Sequence, residues 1–253
     1  NALKTGQVNG GLLDPSVAAE AKSAGITVLN SPLNWQGFVL ADRNGATEPA
    51  LADVRVRQAI NYAIDRESLL KGVMLGYGAV TSQAFGESSQ AFVPALDNYY
   101  AYDPAKAREL LKEANVTGLT LTMPELSAPY AALYPFLTQQ LADVGITLKT
   151  IQVPTDQTIT ELRSGKYPAF FFSLGSSQAW RDIQTWFTPK APWNPNGATD
   201  PELEKLITDA QTATPGAEQD KAFQAVNTWV VENAWLAPFW RADNLWGTTA
   251  DTT

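Results

Sequence analysis

The 253-residue sequence contains no histidine and no cysteine. Without histidine there are no serine–histidine triads, histidine general bases or histidine metal sites. Zinc would have to be held by carboxylates alone, an unusual donor set. Without cysteine there is no disulfide framework, thiolate nucleophile or sulfur metal site, which is compatible with an oxidising, extracytoplasmic location without requiring one. Positive charge is also sparse: 18 lysines and arginines against 26 acids give a net charge of −8. That argues against nucleic acid as a partner, because phosphate binding draws on clustered positive charge. No run approaches the ~18 apolar residues of a membrane span, and the opening NALKTGQVNGG has no basic region followed by an apolar block. Two glycine motifs fail on inspection. Ser164-Gly165-Lys166 ends like a phosphate loop, but position 160 is threonine, and Gly76-Tyr77-Gly78 lacks the third glycine of a dinucleotide fingerprint.

What is present is a globular composition, 45% apolar and 17% charged, long enough for one large domain or two smaller ones. The organising stretch is Leu51–Gly72, LADVRVRQAINYAIDRESLLKG. Val54, Ala59, Ile60, Ala63 and Ile64 recur at helical spacing and predict an apolar stripe, with Arg55, Arg57, Gln58 and Asn61 on the other faces. Asp53 and Asp65 stand where N-caps belong, so a helix, a break at Asp65-Arg66-Glu67 and a second short helix are expected.

Along the rest of the chain, a short strand is expected near Val8–Leu13, then helical turns over Ala18–Ser23, a strand at Ile26–Asn30, and an extended segment from Pro32 to Asn44. Leu75–Tyr102 reads as a long ordered loop, a length that is usually functional or disordered. Asp103-Pro104 then starts a helix. Ala114–Leu121, Ala142–Leu148 and Ala24–Val28 repeat one pattern: a helix end, a glycine that can take positive φ, and a β-branched strand. Repeated helix-to-strand units imply an α/β layer architecture. Tyr130–Ala142 predicts a helix burying Leu133, Phe136, Leu137 and Leu141, and Thr155–Arg163 another. Ala169–Leu174 reads as a buried strand. Helices from Pro201 and over Glu218–Asn233, and strands at Trp235–Trp240 and Asn244–Trp246, complete the chain.

Ligands in α/β sheets favour the crevice beyond the carboxyl ends of strands, which draws attention to the loop after Phe170–Leu174. There Gly175 permits close approach, Ser176, Ser177 and Gln178 offer hydrogen-bonding groups, Asp182 offers a carboxylate, and Trp180 and Trp186 offer large faces. Core packing is the alternative for each of these tryptophans and for Trp193, while Trp229, Trp235 and Trp240 read as core. A carbohydrate-active hydrolase is the rival function, since paired carboxylates with eight tryptophans suit sugars. Its candidate acids are Asp156, Glu161 and Asp182, although the first two fit a helix's opening turns, where acids complement the dipole.

The run Val56 to Glu67, V-R-Q-A-I-N-Y-A-I-D-R-E, preceded by Asp53-Val54-Arg55, resembles the most recognisable segment of the extracytoplasmic solute-binding proteins of peptide/nickel-type ABC transporters, family 5. Tyr102-Asp103-Pro104 and Gly6-Gln7-Val8-Asn9 are similar to further anchors of that family. The resemblance implies the C-terminal half of such a protein: an α/β lobe of the type II periplasmic-binding-protein fold, a mixed sheet flanked by helices, with the remnant of a second lobe. It implies residues 1–35 as that remnant, 36–235 as the ligand-binding lobe and 236–253 as the return crossing. The hinges fall near 33–42 and 236–246, and Asn34 and Trp35 join the ligand-binding candidates. It further implies a non-enzymatic, monomeric binding protein without cofactor or metal that delivers a small-molecule or peptide ligand to ABC permease subunits outside the cytoplasm. Any signal or lipid anchor would lie in a missing N-terminal part. The chain departs from the family at two places. Pro168 follows Gly165-Lys166-Tyr167 where the family has aspartate. Gly175-Ser176-Ser177-Gln178-Ala179 puts alanine where peptide binders of the family hold the peptide's α-ammonium on aspartate. Asp182 is the displaced substitute, and the ligand's identity stays open.

Overall fold

Two thirteen-residue strands form the spine of the fold in the computed structural model, which describes residues 2–126 and 130–249, apart from the side chains of Pro32 and Leu33. β2 (Thr27–Val39) and β7 (Leu236–Thr248) pair antiparallel along their full lengths, from Thr27 opposite Thr248 to Val39 opposite Leu236. β1 (Gly10–Leu13) and β3 (Ala79–Val80) pair with the other edge of β7, and β6 (Phe170–Gly175) pairs with the second half of β2. The result is a five-stranded antiparallel sheet ordered β1-β7-β2-β6 with β3 beside β7. A second, parallel sheet pairs β4 (Thr120–Glu125) with β5 (Thr147–Gln152), making the fold mixed α/β.

The segment expected as a strand followed by an extended crossing is one continuous strand, β2, because β7 supplies it with ladder partners throughout. Its register shifts at Gln36/Gly37, and glycine is required there: a Cβ on Gly37 would stand 2.3 Å from the Ala237 carbonyl oxygen. The two expected C-terminal strands are likewise one. The last four residues of the chain, 250–253, lie outside the described residues, as does residue 1 of the opening segment.

Alternation along the strands sends side chains to two cores. Phe38 and Phe171 enter a core with α2 (Val54–Tyr62), α3 (Arg66–Met74), α4 (Pro104–Glu113), α5 (Leu133–Ala142) and the parallel sheet. Trp35, Val39, Phe170 and Leu174 enter the other, with α7 (Ala179–Trp186), α8 (Pro201–Thr212) and α9 (Ala217–Glu232). Both faces of β6 are covered, which explains its apolar run Phe170–Phe172 without polar alternation. The outlying α1 (Pro15–Ser23) follows β1, and α6 (Thr158–Leu162) precedes β6. Tryptophans 229, 235 and 240 are buried, and Gly25, Gly118 and Gly145 all take positive φ at their helix-to-strand junctions.

The signature stretch forms two helices as expected, with Asp53 accepting from the Arg55 amide at 2.9 Å and Asp65 from the Ser68 amide at 3.0 Å. Its polar faces are the correction. Arg57 and Asn61, expected away from the buried stripe, are buried, and so is Arg66. They are inward because backbone carbonyls meet them there. Arg57 donates to Leu51 O at 2.7 Å and Asn233 O at 3.0 Å, Asn61 Nδ2 to Leu236 O at 3.1 Å, and Arg66 to Pro238 O at 2.8 Å and Tyr100 O at 3.0 Å. Burial lowers the Arg66 guanidinium to about 10, so it remains charged at neutral pH. Phe136 also differs from expectation: it is exposed, on the rim of the core, with the ring edge resting over Gly72 of α3, where a Cβ would come within 2.9 Å of it.

The segment 75–102 is ordered with little regular structure beyond β3 and a 3-10 turn at Pro94–Leu96. Side chains pin it down. Gln83 Nε2 donates to Val93 O and to Asp97, both at 2.8 Å, and Asn227 Nδ2 of α9 donates to Gln83 Oε1 at 2.7 Å and Ala91 O at 2.8 Å.

Candidate functional site

The carboxyl end of β6 meets the middle of β2, with Asn34 opposite Gly175 and Trp35 opposite Leu174. β6 then turns directly into α7, whose first turn carries Asp182. That carboxylate folds back on its own loop, accepting from the Ser177 amide at 2.9 Å and the Ser176 hydroxyl at 3.1 Å. Ser176 Oγ in turn accepts from the Gly86 amide at 3.1 Å, so a relay of hydrogen bonds ties the 75–102 loop to α7. Burial raises the Asp182 pKa above the ordinary carboxylate value, against the opposing pull of these hydrogen bonds.

Two cavities open on either side of the Asn34–Ser176 pair. The first, about 220 Å³, is bounded by Trp35, Ala84, Gly86, Glu87 and Arg241. The second, about 390 Å³, runs past Gly175 and Ser177 to Arg181, Thr185, Trp186 and Trp193. Asn34 stands between them and donates from Nδ2 to Ser173 Oγ at 3.2 Å. Arg241 sits deep in the first cavity with its side chain 8% exposed, and is held by Asp97 through Nη1 at 2.7 Å and Nη2 at 2.9 Å.

Seven of the nine candidate residues, Asn34, Trp35, Gly175, Ser176, Ser177, Asp182 and Trp186, line one or both cavities. Gln178 and Trp180 do not. Gln178 occupies the N-cap position of α7 with its side chain exposed, and Trp180 is half-buried against the α7–α9 core. Trp186 is only 2% exposed, wedged edge-on against Trp35 at 6.0 Å and near Phe85 at 5.4 Å, so its contribution is mainly to hold Trp35 in place. Trp193 packs on Phe172 at 4.5 Å and under the Arg163 guanidinium at 4.5 Å.

Sequence reasoning missed Gly86, Glu87 and Arg241. Glu87 lies in a loop whose course depends on anchors in α9, and Arg241 is separated from Asp97 by 144 residues. No local spacing signals either. The hydrolase candidates are scattered: Asp156 is exposed and Glu161 bonds to Lys166 at 2.9 Å, while Asp182 alone faces a cavity. Among the described residues no group of three or more histidine, cysteine, aspartate or glutamate side chains is placed to hold a metal ion.

The sequence profile of the bacterial extracellular solute-binding proteins, family 5 middle, matches residues 1–194. The chain belongs to that family. The glutathione-binding protein GsiB of Salmonella choleraesuis (strain SC-B67) is 30% identical over 168 residues, 63% of this chain and 31% of that protein. The probable di/tripeptide-binding protein 5 of Pseudomonas aeruginosa (strain UCBPP-PA14) is 27% identical over 235 residues, 87% of this chain and 43% of that protein. In fold, the chain superposes on the ABC transporter substrate-binding protein CtaP of Listeria monocytogenes with a TM-score of 0.85 at 20% identity, over 98% of this chain and 52% of that one. This family member thus spans less than half of these two curated relatives and about half of that solved structure. Its type II periplasmic-binding-protein fold is shared with these structural neighbours. No helix among the described residues is long and apolar enough to cross a membrane.

Proposed function

We propose that this chain is the C-terminal, ligand-binding half of an extracytoplasmic solute-binding protein that captures a peptide-like or other small polar solute between two lobes and presents it to an ABC permease. The observation that carries the reading is the wall formed by Asn34, Trp35 and Ser176. It stands where β2, β6 and the 75–102 loop converge, and it carries polar groups at the rim of two cavities. Kinship with a glutathione-binding and a di/tripeptide-binding protein favours peptide-like solutes.

In this reading residues 1–35 and the end of β7 belong with a first lobe, and β2 and β7 are the two crossings. Closure would select the bound state by bending that paired ribbon. Its Gln36/Gly37 register shift is the natural place for the bend, since a bulge already interrupts the ladder there. A monomer delivering ligand outside the cytoplasm completes the proposal.

A peptide ammonium would need a new carboxylate here, because Ala179 replaces the aspartate that receives it in peptide binders of the family. Asp182 is buried and committed to Ser176 and Ser177. Glycan hydrolysis has less to stand on, as among the described residues no second carboxylate lines the cavity that Asp182 faces.

The test is a thermal-shift panel on the complete two-lobed protein with dipeptides, tripeptides, glutathione and neutral sugars. A rise in Tm with a peptide-like solute is expected, saturating as mass action requires. Turnover of a glycan, or no shift with any member, contradicts the proposal.

A further inference from the structure

β1, the first residues of β2 and the last of β7 extend the sheet beyond both hydrophobic cores, whose members on β2 begin at Trp35 and Phe38. α1 packs on one face of this extension. There Ala18, Ala21, Ile26 and Leu245 are buried, and the fit is close: a Cβ on Gly247 would stand 2.9 Å from Leu13 Cδ1 and 3.1 Å from Ile26 Cγ2.

The other face carries Leu12, Trp246 and Leu29, which stand directly opposite one another on three adjacent strands and are 62%, 44% and 54% exposed. Residues so paired have Cβ atoms about 5 Å apart, so the three form one apolar strip across the sheet. An antiparallel sheet with one wet face places polar side chains on that face; here the row facing solvent is apolar. A single exposed leucine is ordinary, whereas a contiguous apolar patch marks a surface that something covers. Val8 and Val17 are exposed at the same end of the molecule, which thus holds five of the eleven large apolar side chains exposed among the described residues.

The size of the strip selects its occupant. A stable interface takes about 800 Å² from each partner, and even a wholly buried tryptophan supplies only about 150–250 Å². The strip is therefore too small to hold a free second copy, but sufficient for a segment of the same polypeptide, whose linkage supplies a high effective concentration. Chain for such a segment exists among the relatives, since this one covers 52% of the solved structure on which it superposes. We propose that the Leu12–Trp246–Leu29 strip is the seat of the first lobe, covered in the complete protein by apolar side chains of that lobe. The proposal rests on the two-lobed reading above and adds to it a defined contact surface: the outer end of the β2–β7 ribbon is a buried junction, not an exposed crossing.

Thiol labelling of the complete two-lobed protein tests it, because this chain contains no cysteine. Leu29→Cys and Ile159→Cys place a thiol at two positions that are 54% and 43% exposed here. With N-ethylmaleimide, followed peptide by peptide by mass spectrometry, position 29 should react about tenfold or more slowly than position 159, since thiol reactivity follows access. Leu29→Asp should lower the Tm by several degrees and Ile159→Asp by less than about 2 °C, the scale of a surface substitution. The cysteine variant removes only part of a side chain, so its labelling decides the matter even where Leu29→Asp does not fold. Equal labelling at the two positions or equal losses of Tm overturns the assignment, and so does protection that fades on dilution, the mark of a second copy. If a solute raises the Tm in the panel above while position 29 labels freely, the solute-binding reading stands and the seat falls; if position 29 is protected and no solute binds, the seat stands and that reading falls.

Discussion

The α2–α3 stretch and the β6–α7 corner both bury polar side chains, but they use them differently. In the first, Arg57, Asn61 and Arg66 direct their donors to backbone carbonyls of β7 and neighbouring segments. In the second, Ser176 and Asp182 satisfy one another and the Gly86 amide, while Trp35 Nε1 has no acceptor among the described residues and the exposed Glu87 reaches Arg241 at 3.4 Å. Buried polar groups are costly unless paired. A region whose groups are paired to the backbone across several segments acts as scaffold, whereas the corner pairs its groups locally at the rim of two cavities. The long, recognisable helix pair therefore reports the family, and the less regular corner is the candidate site.

That contrast can be broken most forcefully at Arg66. Replacing it by alanine strands carbonyls of Pro238, Tyr100 and Asn61 in the core and should cost about 3 kcal/mol in urea unfolding. Ligand affinity of the remaining folded protein should be unchanged. A large affinity loss without destabilisation would reverse the assignment of scaffold and site.

A smaller effect is expected at Asp97. Burial raises its pKa, but hydrogen bonds from Arg241, Gln83 and Thr81, with the Arg241 charge, outweigh burial and hold it below the usual value. Its ionised form is thus favoured by folding. The stability it contributes is present above the unfolded value near 3.8 and is lost as pH falls through the lower folded value. Asp97→Asn should lower stability by about 1–2 kcal/mol at pH 7 and flatten the acid limb of a Tm-against-pH curve. An unaltered acid limb would show that Arg241 does not depend on Asp97. Asp182 carries the opposite sign. Its raised folded value makes its ionisation weaken folding as pH rises from 3.8 through that value, so Asp182→Asn should remove a loss of stability in that window.

The smallest effect should come from Ser176→Ala, which deletes one bond to Asp182 and one from Gly86, costing about 1 kcal/mol. It should also loosen the 75–102 loop, measurable as faster amide hydrogen exchange at Gly86. Exchange unchanged at that amide would remove the relay from the account.

Much of the scaffold was legible in the sequence because its signals are local. Asp53, Asp65 and Asp103 cap helices within three residues of themselves. Gly25, Gly118 and Gly145 mark strand entries through the conformation they alone adopt easily. The loop after β6 reads as a candidate site because a strand's carboxyl end meets a run of serines there. What escaped depends on distant partners. Nothing near Arg57 or Arg66 in sequence announces the carbonyls of Asn233 and Pro238, so Arg57 reads as lying off the buried stripe and Arg66 only as part of a break between helices. Trp186 offered a large face but sits behind Trp35. Glu87 reaches the cavity only because Asn227 and Arg241 pin the loop that bears it.

The central claim is that Trp35 and its cavity meet solute while the α2–α3 and β7 packing does not. Its most direct test is the 15N–1H spectrum of the tryptophan indoles in the complete protein, titrated with the solute that gives the largest thermal shift. The Trp35 resonance, assigned by its loss in Trp35→Phe, should move most and saturate with the binding curve, while the Trp240 indole, bonded to Gln36, holds its position. A stationary Trp35 signal beside a moving Trp240 signal would contradict the account.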